Sequence, residues 1–312
     1  IHQWKAPTMT LIHIDSHQVE KTLSPKQAVL ALREYLQQGF DPSTDLERSR
    51  AEITNGDFLL MPSNSPTGFG IKLISIPGKT ADPSIPSVNG IYVLFDGSTL
   101  QPTATIDGVA LTNLRTPAVS LAGVSHLLTT SSQPLDVVIV GVGAQGRAHA
   151  RTVESVCEGI RDTKITFISR TQPADLDNWL QAGSDPAHEA ICNAELIITT
   201  TTSPQPVIDD AEVRNDAVVV AVGSHSPDAR ELPGALLARA QVIMEEEAAA
   251  FREAGDIIQA VNEGNLDKES LVSFADVVRG EVELHRSAPV VFKFTGMPWE
   301  DLVLAEAIAA RI

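Results

Sequence analysis

Apolar residues follow two different patterns along this chain, and the change between them divides it. In the first part they alternate with polar ones. Gly70-Ile71-Lys72-Leu73-Ile74-Ser75-Ile76 reads as a strand with Lys72 on the face opposite Ile71 and Leu73. Phe58-Leu59-Leu60-Met61-Pro62, after the turn pair Asn55-Gly56, reads as one strand of a hairpin. Gly90 to Asp96 and Pro102 to Asp107 flank a turn at Asp96-Gly97, after a turn-rich stretch from Pro77 to Pro86. Met9 to Ile14 forms a short strand-like piece. Ser24-Pro25 opens an amphipathic helix with Ala28, Leu30, Leu32 and Leu36 at apolar spacing, ended by Gly39. These elements predict an antiparallel sheet with a flanking helix, whose edges suit pairing across an oligomer.

A helix from Ala110 towards His126 connects this half to a second pattern. There the apolar runs are unbroken: Leu135 to Val140, Ile165 to Ile168, Leu196 to Thr200, Ala217 to Gly223 and Gln241 to Met244. Such runs, alternating with helical stretches, predict a parallel sheet covered on both faces, with ligands at the carboxyl ends of its strands. After about residue 290 the pattern changes to Val290-Val291-Phe292-Lys293-Phe294-Thr295-Gly296 and a last helix, Trp299 to Ile312, placed to return to the first half. The expected fold is therefore α/β: a Rossmann doubly wound domain over 116–289, and a mainly antiparallel α+β domain for substrate binding and dimerisation over 9–115 with 290–312.

Gly141-Val142-Gly143-Ala144-Gln145-Gly146 stands where the first unbroken strand meets a helix. In a dinucleotide site the first glycine allows the tight turn, the second lets the backbone approach a pyrophosphate, and the third packs helix on strand. The flanking strand and helix make the match far more specific than three glycines alone. Gly141, Gly143, Ala144, Gln145 and Gly146 are thus cofactor candidates, with Thr200, Val222, Gly223 and Thr295 at later strand ends. The second strand of the fold ends Ile168-Ser169-Arg170-Thr171, with no carboxylate before Asp175. A guanidinium flanked by hydroxyls suits a 2′-phosphate better than free ribose hydroxyls, so NADP(H) is the expected cofactor, with NAD(H) as the alternative.

Composition narrows the functional classes. At 312 residues with 43% hydrophobic side chains, the chain exceeds one ordinary core and can fill two. A formal charge of −17 opposes a nucleic-acid partner, and any anionic ligand must be met by locally placed cations. Cys157 and Cys192 have neither disulfide nor metal-ligand spacing, which suits a reducing cytoplasm and predicts no metal site. No apolar run reaches the ~20 residues of a membrane span, and Ile1 to Thr8 shows no signal pattern and reads as an extension before Met9.

Taken together, several segments resemble the ornithine cyclodeaminase/μ-crystallin family. They are Leu59-Leu60-Met61-Pro62, Gly70-Ile71-Lys72, Thr112 to Ala118, Gly141 to Gly146, Val222-Gly223-Ser224-His225-Ser226-Pro227 with Arg230-Glu231-Leu232, Glu253 to Asp256, and Phe292 to Gly296. The resemblance implies a homodimer of two-domain subunits acting on amino acids or cyclic imines whose α-carboxylate lies beside a carbon that exchanges hydride with nicotinamide. By position, Arg48, Lys72 and Arg115 resemble the family's carboxylate-binding and catalytic cations, although Arg50 lies two residues from Arg48. Two arginines grip a carboxylate by paired hydrogen bonds, and a lysine depressed by neighbouring cations exchanges protons near neutrality.

His225 departs from the ornithine-cyclising members, which carry an aspartate at that turn. An imidazole moves protons but offers no fixed negative charge to a distal ammonium. The resulting expectation is an NADPH-dependent reductase of a cyclic imino acid of the 1-pyrroline-2-carboxylate type, with Lys72, Arg115, Arg48 and His225 at the reacting centre. The alternatives are ornithine cyclodeaminase, an alanine-type amino-acid dehydrogenase, and a non-enzymatic binding protein.

Overall fold

The computed structural model describes residues 11–78, 82, 85–86 and 88–312. The sequence readings for Ile1 to Thr8, for Met9 and Thr10, and for most of the turn-rich stretch before Pro86 lie outside the described residues. The chain forms two compact units. Among the described residues, one comprises those up to Ser24 with those of Thr44–Arg115 and Met297–Ile312, the other Pro25–Ser43 with Thr116–Gly296.

The first unit is built on a six-stranded sheet with strands β1 (Ile12–Ile14), β2 (Ser49–Ile53), β3 (Gly56–Asn64), β4 (Gly68–Pro77), β5 (Asn89–Asp96) and β6 (Pro102–Asp107). Strands β2 to β6 form an antiparallel meander, and β1 joins β6 in parallel at the edge. The register sets Met61, Lys72, Tyr92 and Ile106 opposite one another in turn, so they form one row on one face. Because side chains alternate across a strand, the rows two residues away share that face, and Ser63, Ile74, Leu94 and Ala104 are buried there. The C-terminal helix Pro298–Ala309 packs against β3, β4 and β5. Apolar almost all round, it is buried at Trp299, Leu302, Val303, Leu304, Ala305 and Ile308.

The second unit contains β7 (Leu135–Val140), β8 (Thr163–Ser169), β9 (Trp179–Gln181), β10 (Leu196–Thr199), β11 (Val218–Ala221), β12 (Gln241–Met244), β13 (Val272–Ser273) and β14 (Val290–Lys293). Among the described residues they form one parallel sheet in the order β13-β12-β14-β11-β10-β7-β8-β9. From β7 the chain runs outward through β8 and β9, then returns to lay β10 on the other side of β7. This is the doubly wound arrangement, with its topological switch between β7 and β10.

The structure divides the chain differently from the sequence expectation in two places. The sequence pattern places Val290–Lys293 with the substrate domain, but β14 lies inside the parallel sheet between β11 and β12. Its four residues are buried, as a strand covered on both faces requires. Only from Met297 does the chain belong to the first unit. The amphipathic helix Pro25–Gln37 likewise belongs to the second unit, packing on the helices Ala144–Cys157 and Phe274–Arg279. Two further elements, the helix Ser16–Thr22 and strand β9, are too short to show a period in the sequence.

Candidate active site

In the first unit two cations meet two carboxylates. Lys72 projects from the middle of β4 and is fully buried. Its Nζ donates to Asp301 Oδ1 at 2.9 Å and lies 2.7 Å from Oδ2. A longer contact of 3.5 Å runs to Thr112 Oγ1, whose own hydroxyl donates to the Gly108 carbonyl. Arg115, seven residues into the helix Gly108–Leu128, donates from Nη1 to Glu300 Oε2 at 2.7 Å and sets Nε 3.5 Å from Asp301 Oδ1. Lys72, Glu300 and Asp301 are wholly buried, while the Arg115 side chain keeps 8% of its surface exposed.

Burial, then the charge of Arg115, lowers the Lys72 ammonium to about 8, with Asp301 opposing both. Asp45 accepts from Ser63 Oγ at 2.7 Å and from the Trp299 amide at 2.8 Å. It thereby ties the first turn of the C-terminal helix, which carries Glu300 and Asp301, to the sheet. Burial raises its carboxyl. Tyr92, opposite Lys72 across the sheet, is buried with its phenol pushed well up by burial and by the nearby carboxylates Asp301, Glu306 and Asp45.

Of the cations expected from sequence, the structure brings Lys72 and Arg115 to one cluster. Arg48 precedes β2, and because Ser49 pairs with Leu60, it stands at the row of Met61 and Lys72. It is half-buried. Arg50 is exposed and committed to an ion pair with Asp57, which separates the two arginines that the sequence left side by side. Glu300 and Asp301 were not anticipated. Their signal is two consecutive acids in the first turn of a mostly apolar helix, because buried carboxylates of this kind require buried cations.

In the second unit the expected cofactor residues lie along one edge. Ile168, Val140, Thr199, Ala221 and Lys293 share one level of the sheet, each paired with the next. The residues following them therefore emerge together: Ser169 with Arg170 and Thr171, Gly141 to Gly146, Thr200, Val222 with Gly223, and Thr295 a little beyond. Gly141 adopts φ +118°, a conformation open to glycine. A Cβ on Gly146 would lie 2.1 Å from the Gly141 carbonyl oxygen and 3.2 Å from Thr200 Oγ1, so this glycine allows helix and strand to close. A Cβ on Gly143 would meet no protein atom within 4 Å, and φ there is an ordinary −71°. Nothing in the protein itself calls for glycine at 143, whereas a pyrophosphate against the backbone does.

Gly143 is also the N-cap of the 14-residue helix Ala144–Cys157, and no side chain caps it. Its first N–H groups suit phosphate oxygens. His149 anchors this helix from behind: its Nδ1–H donates to the Gln145 carbonyl at 2.7 Å, leaving Nε2 to accept from Ser120 Oγ at 2.8 Å. Burial lowers this imidazole to about 4 and keeps it neutral.

After β8, Ser169 donates to the Thr171 carbonyl at 2.8 Å and accepts from Trp179 Nε1 at 2.7 Å. Its hydroxyl proton thus shapes the turn, which leaves the exposed Arg170 and Thr171 as the outward donors. The residues present fit a dinucleotide.

A buried network underlies the later loops. Glu231 accepts from Thr199 Oγ1 at 2.9 Å, from Thr201 N and Oγ1 at 2.6 and 2.8 Å, and from Gly223 N at 2.6 Å. Asp256 accepts from the amides of Glu231 and Leu232 and sits 3.1 Å from Lys293 Nζ. Lys293 in turn donates to the Ser224 carbonyl at 2.5 Å. His225 follows on this turn and is exposed. No helix begins at this turn. The sequence pieces holding Glu231, Asp256 and Lys293 carried the family resemblance, but their partners lie in segments far apart in the chain.

A doubly wound nucleotide-type unit joined to a mixed-sheet unit with a buried cation–carboxylate cluster defines the class of protein. The family model described as "Ornithine cyclodeaminase/mu-crystallin family" matches residues 11–312, and the chain belongs to this family. It is 29% identical over 267 residues to Delta(1)-pyrroline-2-carboxylate reductase 1 of Burkholderia multivorans, covering 82% of each chain. It is 30% identical over 264 residues to Delta(1)-pyrroline-2-carboxylate reductase of Bacillus cereus, covering 80% of this chain and 79% of the relative. The Thermococcus litoralis Delta(1)-pyrroline-2-carboxylate reductase, solved with NADH and L-proline, superposes with a TM-score of 0.83 at 23% identity, over 96% of this chain and 97% of that one. This likeness shows the fold. Among the described residues no helix is long and apolar enough to cross a membrane.

Proposed function

We propose that this chain is an NAD(P)-dependent oxidoreductase acting on C–N bonds, and specifically an NADPH-dependent reductase of a cyclic imino acid such as 1-pyrroline-2-carboxylate, yielding L-proline or a homologue. The observation that carries the reading is Lys72: an ammonium buried beside Arg115 and lowered to about 8, poised to give up a proton near neutrality. The reductase names of the relatives agree with it. In this reading Arg115 and Arg48 hold the substrate carboxylate by charge-assisted hydrogen bonds. Lys72 donates a proton to the imine nitrogen, with His225 as a second exchangeable group. The bound nicotinamide supplies the hydride to the imine carbon. Gly141, Gly143, Ala144, Gln145 and Gly146 would receive the pyrophosphate, Thr200, Val222, Gly223 and Thr295 the remainder, and Arg170 with Thr171 a 2′-phosphate.

The preference for NADPH rests on the exposed Arg170 and on Asp175, whose carboxylate is taken by Arg147. A homodimer is proposed from β2, an exposed strand at the edge of its sheet. A reducing cytoplasm remains the proposed compartment, argued from two cysteines with no pairing pattern. The test follows the absorbance at 340 nm with NADPH, and separately with NADH, on adding 1-pyrroline-2-carboxylate. Ornithine with NAD and ammonia detection runs alongside. Loss of NADPH absorbance that disappears in Lys72→Ala supports the proposal. Ammonia from ornithine without net cofactor change overturns it.

A further inference from the structure

The two cations proposed to handle substrate are each held by a different carboxylate from one turn of the C-terminal helix: Lys72 by Asp301, Arg115 by Glu300. We propose that Asp301 is a positioning residue that keeps the Lys72 ammonium charged and aimed for proton delivery, while Glu300 fixes Arg115 for the substrate carboxylate. This inference rests on the imine-reductase reading.

Several observations support the division. Asp301 accepts one hydrogen bond from the ammonium through Oδ1 at 2.9 Å and sets Oδ2 2.7 Å from Nζ as an ion-pair contact. The other hydrogen-bond contact of Nζ is the 3.5 Å one to Thr112, so the shorter bond to Asp301 decides how Nζ is aimed. Glu300 holds Nη1 of Arg115 at 2.7 Å, whereas Asp301 approaches that guanidinium no closer than 3.5 Å. All three of Lys72, Glu300 and Asp301 are fully buried, an arrangement costly as a mere structural device, since apolar replacements of the same volume serve stability as well or better.

The charge environment of Lys72 is defined from every side. Asp301 and Glu300 come from the C-terminal helix, Arg115 and Thr112 from the helix Gly108–Leu128, and Tyr92 from the opposite strand, with Asp45 and Glu306 beyond it. Burial and Arg115 disfavour the charged lysine, and the adjacent Asp301 carboxylate favours it. The proton step balances simply. One N–H bond of the ammonium breaks as an N–H bond forms at the imine nitrogen, and lysine becomes neutral while Asp301 still accepts from the amine. The imine carbon gains its hydride from the reduced nicotinamide, which leaves oxidised.

The test compares wild type, Asp301→Asn and Glu300→Gln by the pH dependence of kcat/KM. It adds titration of Lys72 by NMR of 13C-lysine-labelled protein, with the resonance assigned by its loss in Lys72→Arg. Asp301→Asn is expected to move both the Lys72 titration and the alkaline limb at least one pH unit lower, and to cut kcat about 10-fold with little change in KM. Glu300→Gln is expected to raise KM for the imino acid about 10-fold and leave the limb in place. If Asp301→Asn does not fold, Asp301→Glu retains the charge, and the account requires the limb to stay while kcat falls. A Lys72 titration that is the same with and without the Asp301 charge, in folded protein, overturns the inference. The NMR arm needs no turnover, so wild-type inactivity towards the imine counts against the proposed function alone.

Discussion

Arg147 grips Asp175 with both ends of its guanidinium, Nη1 to Oδ2 at 2.7 Å and Nη2 to Oδ1 at 2.8 Å, and its Nε reaches the Val142 carbonyl at 3.1 Å. Asp175 is the first carboxylate after β8, where a site for NAD places the acid that binds ribose hydroxyls. Here that acid is instead tied to the glycine loop. The exposed guanidinium that follows the strand is Arg170.

Arg170→Ala is therefore expected to raise the KM for NADPH roughly 10- to 100-fold, the ~1.5–3 kcal/mol of a hydrogen bond to a charged group, and to leave NADH kinetics nearly unchanged. Asp175→Asn should leave the NADPH constants within about twofold. Initial rates with both cofactors decide. Equal losses with NADH and NADPH would contradict the assignment of Arg170.

The glycines of the loop have separable roles. Gly143→Ala meets no protein atom within 4 Å and is expected to fold with stability within about 0.5 kcal/mol of wild type, while weakening dinucleotide binding at least 10-fold. Gly146→Ala drives a Cβ to 2.1 Å from the Gly141 carbonyl and should cost several kcal/mol, on the order of 3, in unfolding free energy. Denaturant unfolding beside cofactor titration by fluorescence checks both. Unimpaired binding in Gly143→Ala would remove the pyrophosphate from this loop.

Glu231 collects four donors from Thr199, Thr201 and Gly223 while fully buried. Glu231→Gln places an amide NH2 against those donors, and a loss of about 3 kcal/mol is expected. Chemical denaturation measures it. A loss below about 0.5 kcal/mol would mean that the loops after β10 and β11 are held otherwise.

His149 gives a pH dependence of stability. Its folded-state value of about 4 lies below the ordinary 6.5, so the unfolded chain binds the proton more readily. The stabilising contribution is present above about pH 6.5 and is lost as pH falls through 4, roughly 3 kcal/mol in all. His149→Gln should remove one proton of uptake from acid unfolding in that window, as read from midpoints between pH 4 and 7. An unchanged slope would contradict a neutral buried imidazole.

Much of this was legible before the structure. Unbroken apolar runs give strands buried on both faces, and β7, β10 and β11 lie where those runs stand. Lys72 was marked by the family resemblance, while the alternation placed it only on the face opposite Ile71 and Leu73; that this face is the buried one is seen in the structure. What escaped was non-local. β14 has the same composition as its neighbours, and only the paired register of β11 and β12 places it between them. Glu300 and Asp301 are separated from Arg115 and Lys72 by 185 and 229 residues, and no period in the sequence encodes such a pairing.

The most direct measurement uses NADPH deuterated at C4 with 1-pyrroline-2-carboxylate, and mass spectrometry and NMR of the product. The account requires one deuterium at the α-carbon of L-proline, formed in step with NADPH oxidation by wild type and lost in Lys72→Ala. Proline formed from ornithine with ammonia release and no net use of cofactor, or no deuterium at the α-carbon, would contradict it.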